Sequence, residues 1–217
     1  MIKNEFFLRI LSSVLLISLA LFFIIKGSYF FIFFMLVSLL ISLYEWHKLS
    51  KKKYYEILGY IFLFISFYSA YLIKRDFDTI YSYFLLIALI CVLTDIGGYI
   101  FGKIFKGPKL TKISPNKTFS GMIGGYVLST IFITIYFNNF NFSIFDNLEN
   151  QNLNNFIFIF TISTISQIGD IFISYFKRKS KIKDTGKIIP GHGGLLDRID
   201  GMIFAFPSAY LIFIFVN

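Results

Sequence analysis

The chain has 217 residues, of which 56% are hydrophobic and only 15% charged, and its formal net charge is +9. Soluble domains carry about 25% charged residues and about 45–50% apolar residues, so this composition excludes an ordinary water-soluble fold. The long apolar runs instead predict a protein of the lipid bilayer. Cys91 is the single cysteine, which excludes an intrachain disulfide or a cysteine-based metal site.

Apolar segments that approach the length of a membrane-spanning helix recur along the chain, since a span needs roughly 17–25 residues. They fall at 6–25, 28–44, 54–73, 79–101, 120–137, 155–173 and 202–216. We therefore expect an all-α, polytopic membrane protein with about seven transmembrane helices. It forms one domain over residues 1–217, with N-terminal helices over 1–78 and the candidate catalytic residues in the half over 79–217.

The basic residues predict which loops face the cytoplasm. With the N-terminus on that side, all but three of the 21 Lys and Arg residues are cytoplasmic, the exceptions being Lys26, Lys74 and Arg75. This asymmetry follows the positive-inside rule, so the loops after the fourth and sixth spans are predicted to be cytoplasmic. At the cytoplasmic end of the second span, we expect Trp46 to be an interfacial aromatic residue and His47 to be solvated.

Two carboxylates interrupt the apolar spans. Asp95 precedes Lys103 by eight residues, and Asp170 precedes Lys177 by seven. Both acids therefore lie about 10–12 Å below the cytoplasmic basic residues. Because ionisable groups within spans usually face the bundle interior and serve function, we expect the two acids to face one cavity open to the cytoplasm.

The segment 174–200, after the sixth span, combines three kinds of residue that phosphoryl or nucleotidyl transfer requires. Basic side chains neutralise phosphates, glycines let the backbone approach them, and carboxylates are ligands that Mg²⁺ prefers. The segment contains Lys177, Arg178, Lys179, Lys181, Lys183, Lys187, Gly191, Gly193, Gly194, Asp184, Asp197, Arg198 and Asp200. The preceding cytoplasmic loop adds Lys117, Thr118 and Ser120 as contacts for phosphate or a lipid head group, without the spacing of a P-loop.

The same segment resembles the phosphatidate cytidylyltransferase family, the CDP-diacylglycerol synthases. The family signature has the form S-x-x-K-R-x(4)-K-D, then a short gap, then H-G-G-x-x-D-R-x-D. Its specified positions are filled here by Ser174, Lys177, Arg178, Lys183, Asp184, His192, Gly193, Gly194, Asp197, Arg198 and Asp200. Residues 167–170 and the stretch from Asp95 to Gly125 also resemble the family, so the resemblance covers the C-terminal half of the chain.

The resemblance implies an enzyme that transfers a cytidylyl group from CTP to phosphatidic acid, giving CDP-diacylglycerol and pyrophosphate. It implies Mg²⁺ as the cofactor and leaves open whether a second cation binds beside it. Asp170 and Asp197 are the implied metal ligands, with Asp200 or Asp184 as helpers and Asp95 as a supporting residue.

The remaining signature residues are implied to bind phosphates. These are Lys177, Arg178, Lys183 and Arg198 as catalytic cations, and Ser174, Gly193 and Gly194 as substrate contacts, to which Lys117 of the earlier loop is added. His192 is implied to orient a phosphate or an acid, because a phosphate monoester dianion attacks without a general base. The family further implies a homodimer in the bacterial inner membrane, with a cytoplasmic active site, membrane lipid as a partner and no nucleic acid.

Three other functions account for only part of the sequence. A cation or proton transporter would also place acids within spans, but it leaves the basic, glycine-rich loop unexplained. A CDP-alcohol phosphotransferase would carry the pattern D-G-x(2)-A-R…G-x(3)-D-x(3)-D, which this sequence lacks. A scaffold that binds anionic lipid through its basic loops leaves the acids within the spans unexplained.

Overall fold

The computed structural model describes residues 2–77, 82–140, 150–189, 191 and 193–216. Its helices are α1 (Ile2–Lys26), α2 (Ser28–Ser50), α3 (Glu56–Leu72), α4 (Ser82–Phe105), α5 (Phe119–Phe140), α6 (Gln151–Lys179), α7 (Leu196–Ile199) and α8 (Met202–Val216). A π-helical turn, Ile73–Phe77, continues α3. Within the described residues, β pairing is limited to isolated bridges. The predicted all-α class is confirmed.

Each predicted span lies within or largely overlaps one of these helices. Among the described residues, five helices are long and apolar enough to cross a membrane, at Ser28–Ser50, Glu56–Phe77, Tyr83–Phe105, Phe119–Phe137 and Gln151–Lys179. Two apolar helices, Val14–Lys26 and Met202–Val216, are shorter. The fold is therefore that of a multi-pass membrane protein, while the number of seven crossings and the cytoplasmic placement of the loops stay predictions.

The helices bury aromatic and aliphatic side chains between them and also present apolar side chains outward. Ile87 and Ile90 of α4 are fully buried, and the Phe84 ring stacks on the Phe206 ring of α8 at 4.8 Å between centroids. Outward-facing residues such as Phe33 and Leu40 on α2 are more than half exposed. An apolar outer surface of this kind suits a lipid environment, because hydrocarbon, unlike water, imposes no cost on it.

Glycines allow α4 and α5 to approach closely. A Cβ atom at Gly97 would lie 2.5 Å from the carbonyl oxygen of Gly124, and one at Gly121 would lie 2.6 Å from that of Gly98. Small residues permit such backbone contact between membrane helices, where packing drives association. The contact brings the loop between α4 and α5 next to α6, where Lys117 of the loop pairs with Asp170.

The expectation that His47 is solvated is confirmed, and Trp46 is buried within the protein, so its place at the membrane interface stays a prediction. Trp46 is 4% exposed, and its ring packs edge-on against the rings of Tyr55 and Phe176. Its Nε1 donates to the carbonyl oxygen of Glu56 at 3.0 Å. The short connection between α2 and α3 and the neighbouring α6 cover this ring. The His47 side chain is 46% exposed.

Candidate active site

A polar cleft lies between α4, α5 and α6. Its volume is about 290 Å³, and its lining includes Asp95, Lys117, Thr118, Gln167 and Asp170. The structure thus brings the two span acids into one cavity, as the sequence predicted. Because Asp95 comes from α4 and Asp170 from α6, the packing of α5 against both helices decides the shape of this cleft.

Lys117 reaches into the cleft from the loop between α4 and α5. Its Nζ forms an ion pair with Asp170 Oδ2. The loop folds back on itself, because Leu110 N donates to the Lys117 carbonyl at 2.8 Å and Lys117 N donates to the Ser114 carbonyl at 3.1 Å. One turn further along α6, the buried Ser174 donates from Oγ to Asp170 Oδ1 at 3.3 Å. Asp170 therefore has a cation on one oxygen and a hydroxyl on the other.

Asp200 adds a third acid beside the cleft. It is 6% exposed, in the turn between α7 and α8, and it lies close enough to Asp170 and Asp95 for their charges to interact. Burial raises the pKa of the Asp200 carboxyl well above its usual value, the Asp170 carboxylate raises it further, and the Lys177 ammonium opposes the rise. Gly169 makes this proximity possible, since a Cβ atom there would lie 3.0 Å from the Asp200 carbonyl oxygen.

Asp197 occupies a different environment from Asp170. Its Oδ1 accepts a hydrogen bond from Lys177 Nζ at 2.9 Å, and Lys177 Nζ also lies 3.9 Å from Asp200 Oδ2. Its Oδ2 accepts from the backbone N–H groups of Thr185 at 2.8 Å and Gly194 at 3.0 Å. Asp197 thus ties α6 to the glycine-rich loop. Its role as a metal ligand together with Asp170 stays a prediction.

Glu45, on α2, is a residue of this region that the sequence reasoning missed. Its side chain is fully buried at 0% exposure. Glu45 Oε2 accepts from Thr185 Oγ1 at 2.9 Å and from Leu196 N at 2.8 Å, and Oε1 accepts from Leu195 N at 3.0 Å. Burying a carboxylate is costly unless hydrogen bonds compensate, and these three bonds supply that compensation. Glu45 therefore anchors both the loop and the start of α7.

The loop packs closely around this carboxylate. A Cβ atom at Gly186 would lie 2.5 Å from Glu45 Oε1, and one at Gly194 would lie 2.5 Å from Oε2. Glycine at both positions lets the backbone approach the acid. The sequence did contain a signal for Glu45, because an ionisable group next to an apolar span usually has a specific role, as was argued for Asp95 and Asp170.

The glycines predicted to contact phosphate are engaged within the loop. Gly193 N donates to the Ile189 carbonyl at 3.2 Å, while Gly194 N donates to Asp197. Gly193 has a φ of +91°, in the region that favours glycine. These two N–H groups therefore hold the loop together, and their predicted phosphate contact stays a prediction.

The other predicted cations and acids lie at the surface of the loop and its flanking helices. Arg178 at the end of α6, Lys183 and Asp184 in the loop, and Arg198 on α7 are exposed. His192 lies outside the described residues. The structure thus places Lys117, Lys177, Ser174 and four of the predicted acids in and around the cleft, and leaves Arg178, Lys183 and Asp184 on the open side.

Of the side chains that the structure describes, no three His, Cys, Asp or Glu residues are grouped as ligands of one metal ion. The donors nevertheless suit Mg²⁺ chemically, because Asp95 and Asp170, which both line the cleft, carry the hard carboxylate oxygens that this ion prefers. In this structure the Lys117 ammonium supplies the positive charge beside Asp170.

Apolar helices around a cleft of acids and lysines define a multi-pass membrane protein with a site suited to phosphorylated substrates. The model of the Cytidylyltransferase family matches residues 57–216. The chain is also 36% identical to the phosphatidate cytidylyltransferase of Rickettsia felis, over 97% of this chain and 93% of that protein. The chain belongs to the cytidylyltransferase family.

Other bacteria also have relatives, which match a smaller part of this chain. The phosphatidate cytidylyltransferase of Helicobacter pylori is 33% identical over 74% of this chain and 57% of its own length. That of Staphylococcus haemolyticus is 40% identical over 61% of this chain and 49% of its own length. The Rickettsia protein and this chain match over nearly their full lengths, so they share the N-terminal helices as well.

Proposed function

We propose that this protein transfers a cytidylyl group from CTP to phosphatidic acid, releasing pyrophosphate and forming CDP-diacylglycerol. A phosphate oxygen of phosphatidic acid attacks the α-phosphorus of CTP, the bond from that phosphorus to the β-phosphate oxygen breaks, and pyrophosphate leaves. The observation that carries the proposal is the cleft in which Asp95, Asp170 and Lys117 meet, within a chain of this family.

The cations of the site divide by depth into two groups. Lys117 and Lys177 are partly shielded and already contact carboxylates, so they suit fixed charges beside the reacting phosphates. Arg178 and Lys183 are exposed and suit the first capture of the triphosphate from the cytoplasm. Phosphoryl chemistry depends mainly on such positioning and charge neutralisation, and the nucleophile carries its own negative charge.

We propose Asp170 as the principal ligand of Mg²⁺, with either Asp95, which lines the same cleft, or Asp200, whose charge interacts with both, completing the protein's share. When bound, Mg²⁺ would shield the negative charges of the two reacting phosphates. Asp197 fits a supporting role better, since both of its oxygens already accept hydrogen bonds. Asp184 is exposed, and we assign it no ligand role.

The protein is proposed to act in the bacterial inner membrane, with its cleft facing the cytoplasm. The support is the distribution of Lys and Arg, which places all but three of these 21 residues on one side. The basic residues lie in loops beside apolar helices, which suits anionic lipid and nucleotides, so we propose no role in nucleic-acid binding. A homodimer remains a proposal from the family, to be tested by crosslinking in native membranes.

The experiment that tests the function measures CDP-diacylglycerol formation in detergent micelles from labelled CTP, phosphatidic acid and Mg²⁺. We expect product from the wild-type protein, none after chelation of the metal, and recovery when Mg²⁺ is restored. A monodisperse wild-type protein that makes no product from CTP or any other nucleotide would refute the proposal.

Two lysines of one loop provide a matched comparison. Lys117 contacts Asp170 in the cleft, whereas Lys112 is exposed outside it. Lys117→Met is expected to lower kcat/KM by about 100-fold, because a fixed charge at the reacting phosphates is lost. Lys112→Met removes the same charge from the surface and should stay close to wild type. Equal losses would mean that only the overall positive charge of the loop matters.

A further inference from the structure

A second cavity, distinct from the polar cleft, lies between α1, α2, α3, α4 and α8. Its volume is about 300 Å³, and its surface is almost entirely apolar. Residues that line it include Ala20 of α1, Met35 of α2, Phe67 of α3, Ala88 of α4 and Phe206 of α8. We call this cavity the apolar groove. Two of its walls, α1 and α2, precede residues 57–216, the part of the chain that the family model matches.

One end of the apolar groove is lined by the glycine-rich loop between α6 and α7 and by α7 itself. The lining at this end contains Ile189, Leu195 and Ile199. Of the described residues that line the groove, Arg198 is the one that carries a charge. The Arg198 guanidinium is also close enough to Asp95 for their charges to interact, which places it between the groove and the cleft. A ligand that joined a phosphate to a hydrocarbon chain would match this change from charged to apolar surface.

The length of the apolar groove suits an extended chain. Along α1 its lining runs from Leu16 to Ile24, eight residues apart, which corresponds to about 12 Å along the helix axis. Three of the helices that line the groove, α2, α3 and α4, are long and apolar enough to cross a membrane, so lipid tails would surround this part of the protein.

We propose that the apolar groove holds one fatty acyl chain of the lipid substrate, with the lipid phosphate at the Arg198 end, beside the acids of the cleft. This inference rests on the proposed function. Moving the acyl chain from the bilayer into the groove releases no hydrophobic free energy, because the bilayer is equally apolar. Its contribution is to fix the depth and direction of the phosphate and to discriminate between acyl chains by shape.

Substitutions on one helix test the proposal. Ala88 lines the groove, whereas Val92, one turn further along α4, is 40% exposed and lies outside it. Ala88→Phe is expected to raise the apparent KM for dioleoyl phosphatidic acid by roughly 10-fold, since a pocket that is filled rejects its ligand. The KM for CTP and the rate with dihexanoyl phosphatidic acid should change little. Val92→Phe should leave all three unchanged.

The proposal is overturned if Ala88→Phe affects long and short acyl chains equally, or if Val92→Phe has the same effect. Because a large side chain at position 88 can disturb folding, Ala20→Phe fills the groove from α1 as a second variant. If neither variant is monodisperse in detergent, photolabelling of the wild-type protein tests the proposal without a substitution.

Photolabelling measures occupancy without activity. Phosphatidic acid with a photoreactive group on an acyl chain is expected to label groove residues of α1, α4 and α8, and excess phosphatidic acid should compete. Labelling that phosphatidylcholine competes equally well would show that the groove holds bulk lipid, and labelling elsewhere would exclude it as the acyl site. If labelling is specific but no CDP-diacylglycerol forms, the groove stands and the proposed function fails.

Discussion

Two carboxylates on neighbouring helices lie in contrasting environments, one open to exchange of its partner and the other fixed by the fold. Asp170 lies in an open cleft, with a side chain 22% exposed and a lysine as its partner. Glu45 is fully buried, and its partners are a hydroxyl and two backbone N–H groups. A mobile cation partner can be exchanged for substrate or metal, whereas backbone donors are fixed by the fold. The environment of the first acid therefore fits the chemical role proposed for it, and the second acid holds the loop in place.

The largest effect is expected from Asp170→Asn. Removing the charge should lower kcat/KM by about 100-fold or more, because the cleft loses a principal anionic ligand. The protein should remain folded, since an amide keeps the shape and the site is partly open. Product formation and gel filtration in detergent measure the two outcomes. Asp76→Asn changes an exposed acid outside the cleft and serves as the control. An active Asp170→Asn protein would place the chemistry elsewhere.

Glu45→Gln is expected to cause a smaller loss of activity than Asp170→Asn, but a larger loss of order in the loop between α6 and α7. Both oxygens of Glu45 accept hydrogen bonds, so the NH2 group of the glutamine would face at least one hydrogen-bond donor. That buried N–H or hydroxyl then loses its partner, at a cost of roughly 1–3 kcal/mol. We expect kcat to fall by roughly 10-fold, as when a group that orients a site is removed.

Limited trypsin digestion separates this loss of order from general unfolding. Cleavage after Lys181, Lys183 and Lys187 should become faster than in the wild-type protein, because the loop between α6 and α7 is released. Cleavage in the loop between α4 and α5 should not change. If both loops become equally sensitive, Glu45 supports the whole bundle and not this loop in particular.

The smallest effect is expected from Gly97→Ala, which tests the helix contact that shapes the cleft. The added methyl group would lie 2.5 Å from the Gly124 carbonyl oxygen, so α4 and α5 must separate, at a cost of about 1–3 kcal/mol. The midpoint of thermal unfolding in detergent should fall and the KM for CTP should rise. At Gly98, the nearest atom to an added Cβ is 3.7 Å away, so Gly98→Ala should match the wild type.

The sequence alone determined the helices and two of the acids that meet in the cleft. Long apolar runs located the helices, because burial in hydrocarbon depends on local composition. Asp95 and Asp170 were identified as acids within spans, and their similar depth correctly predicted a shared cavity. Both inferences use distances along a single helix, where the geometry is known in advance.

Only the tertiary structure decided which partner each of these groups has. Glu45 contacts Leu195 across 150 positions of the chain, and Lys53 contacts Ser180 across 127. Asp170 and Asp197 both fit the pattern of a metal ligand, yet packing gives one an open cleft and the other three hydrogen bonds within the protein. Local sequence specifies the donors and acceptors that are present, whereas the contact of one helix with another specifies which of them meet.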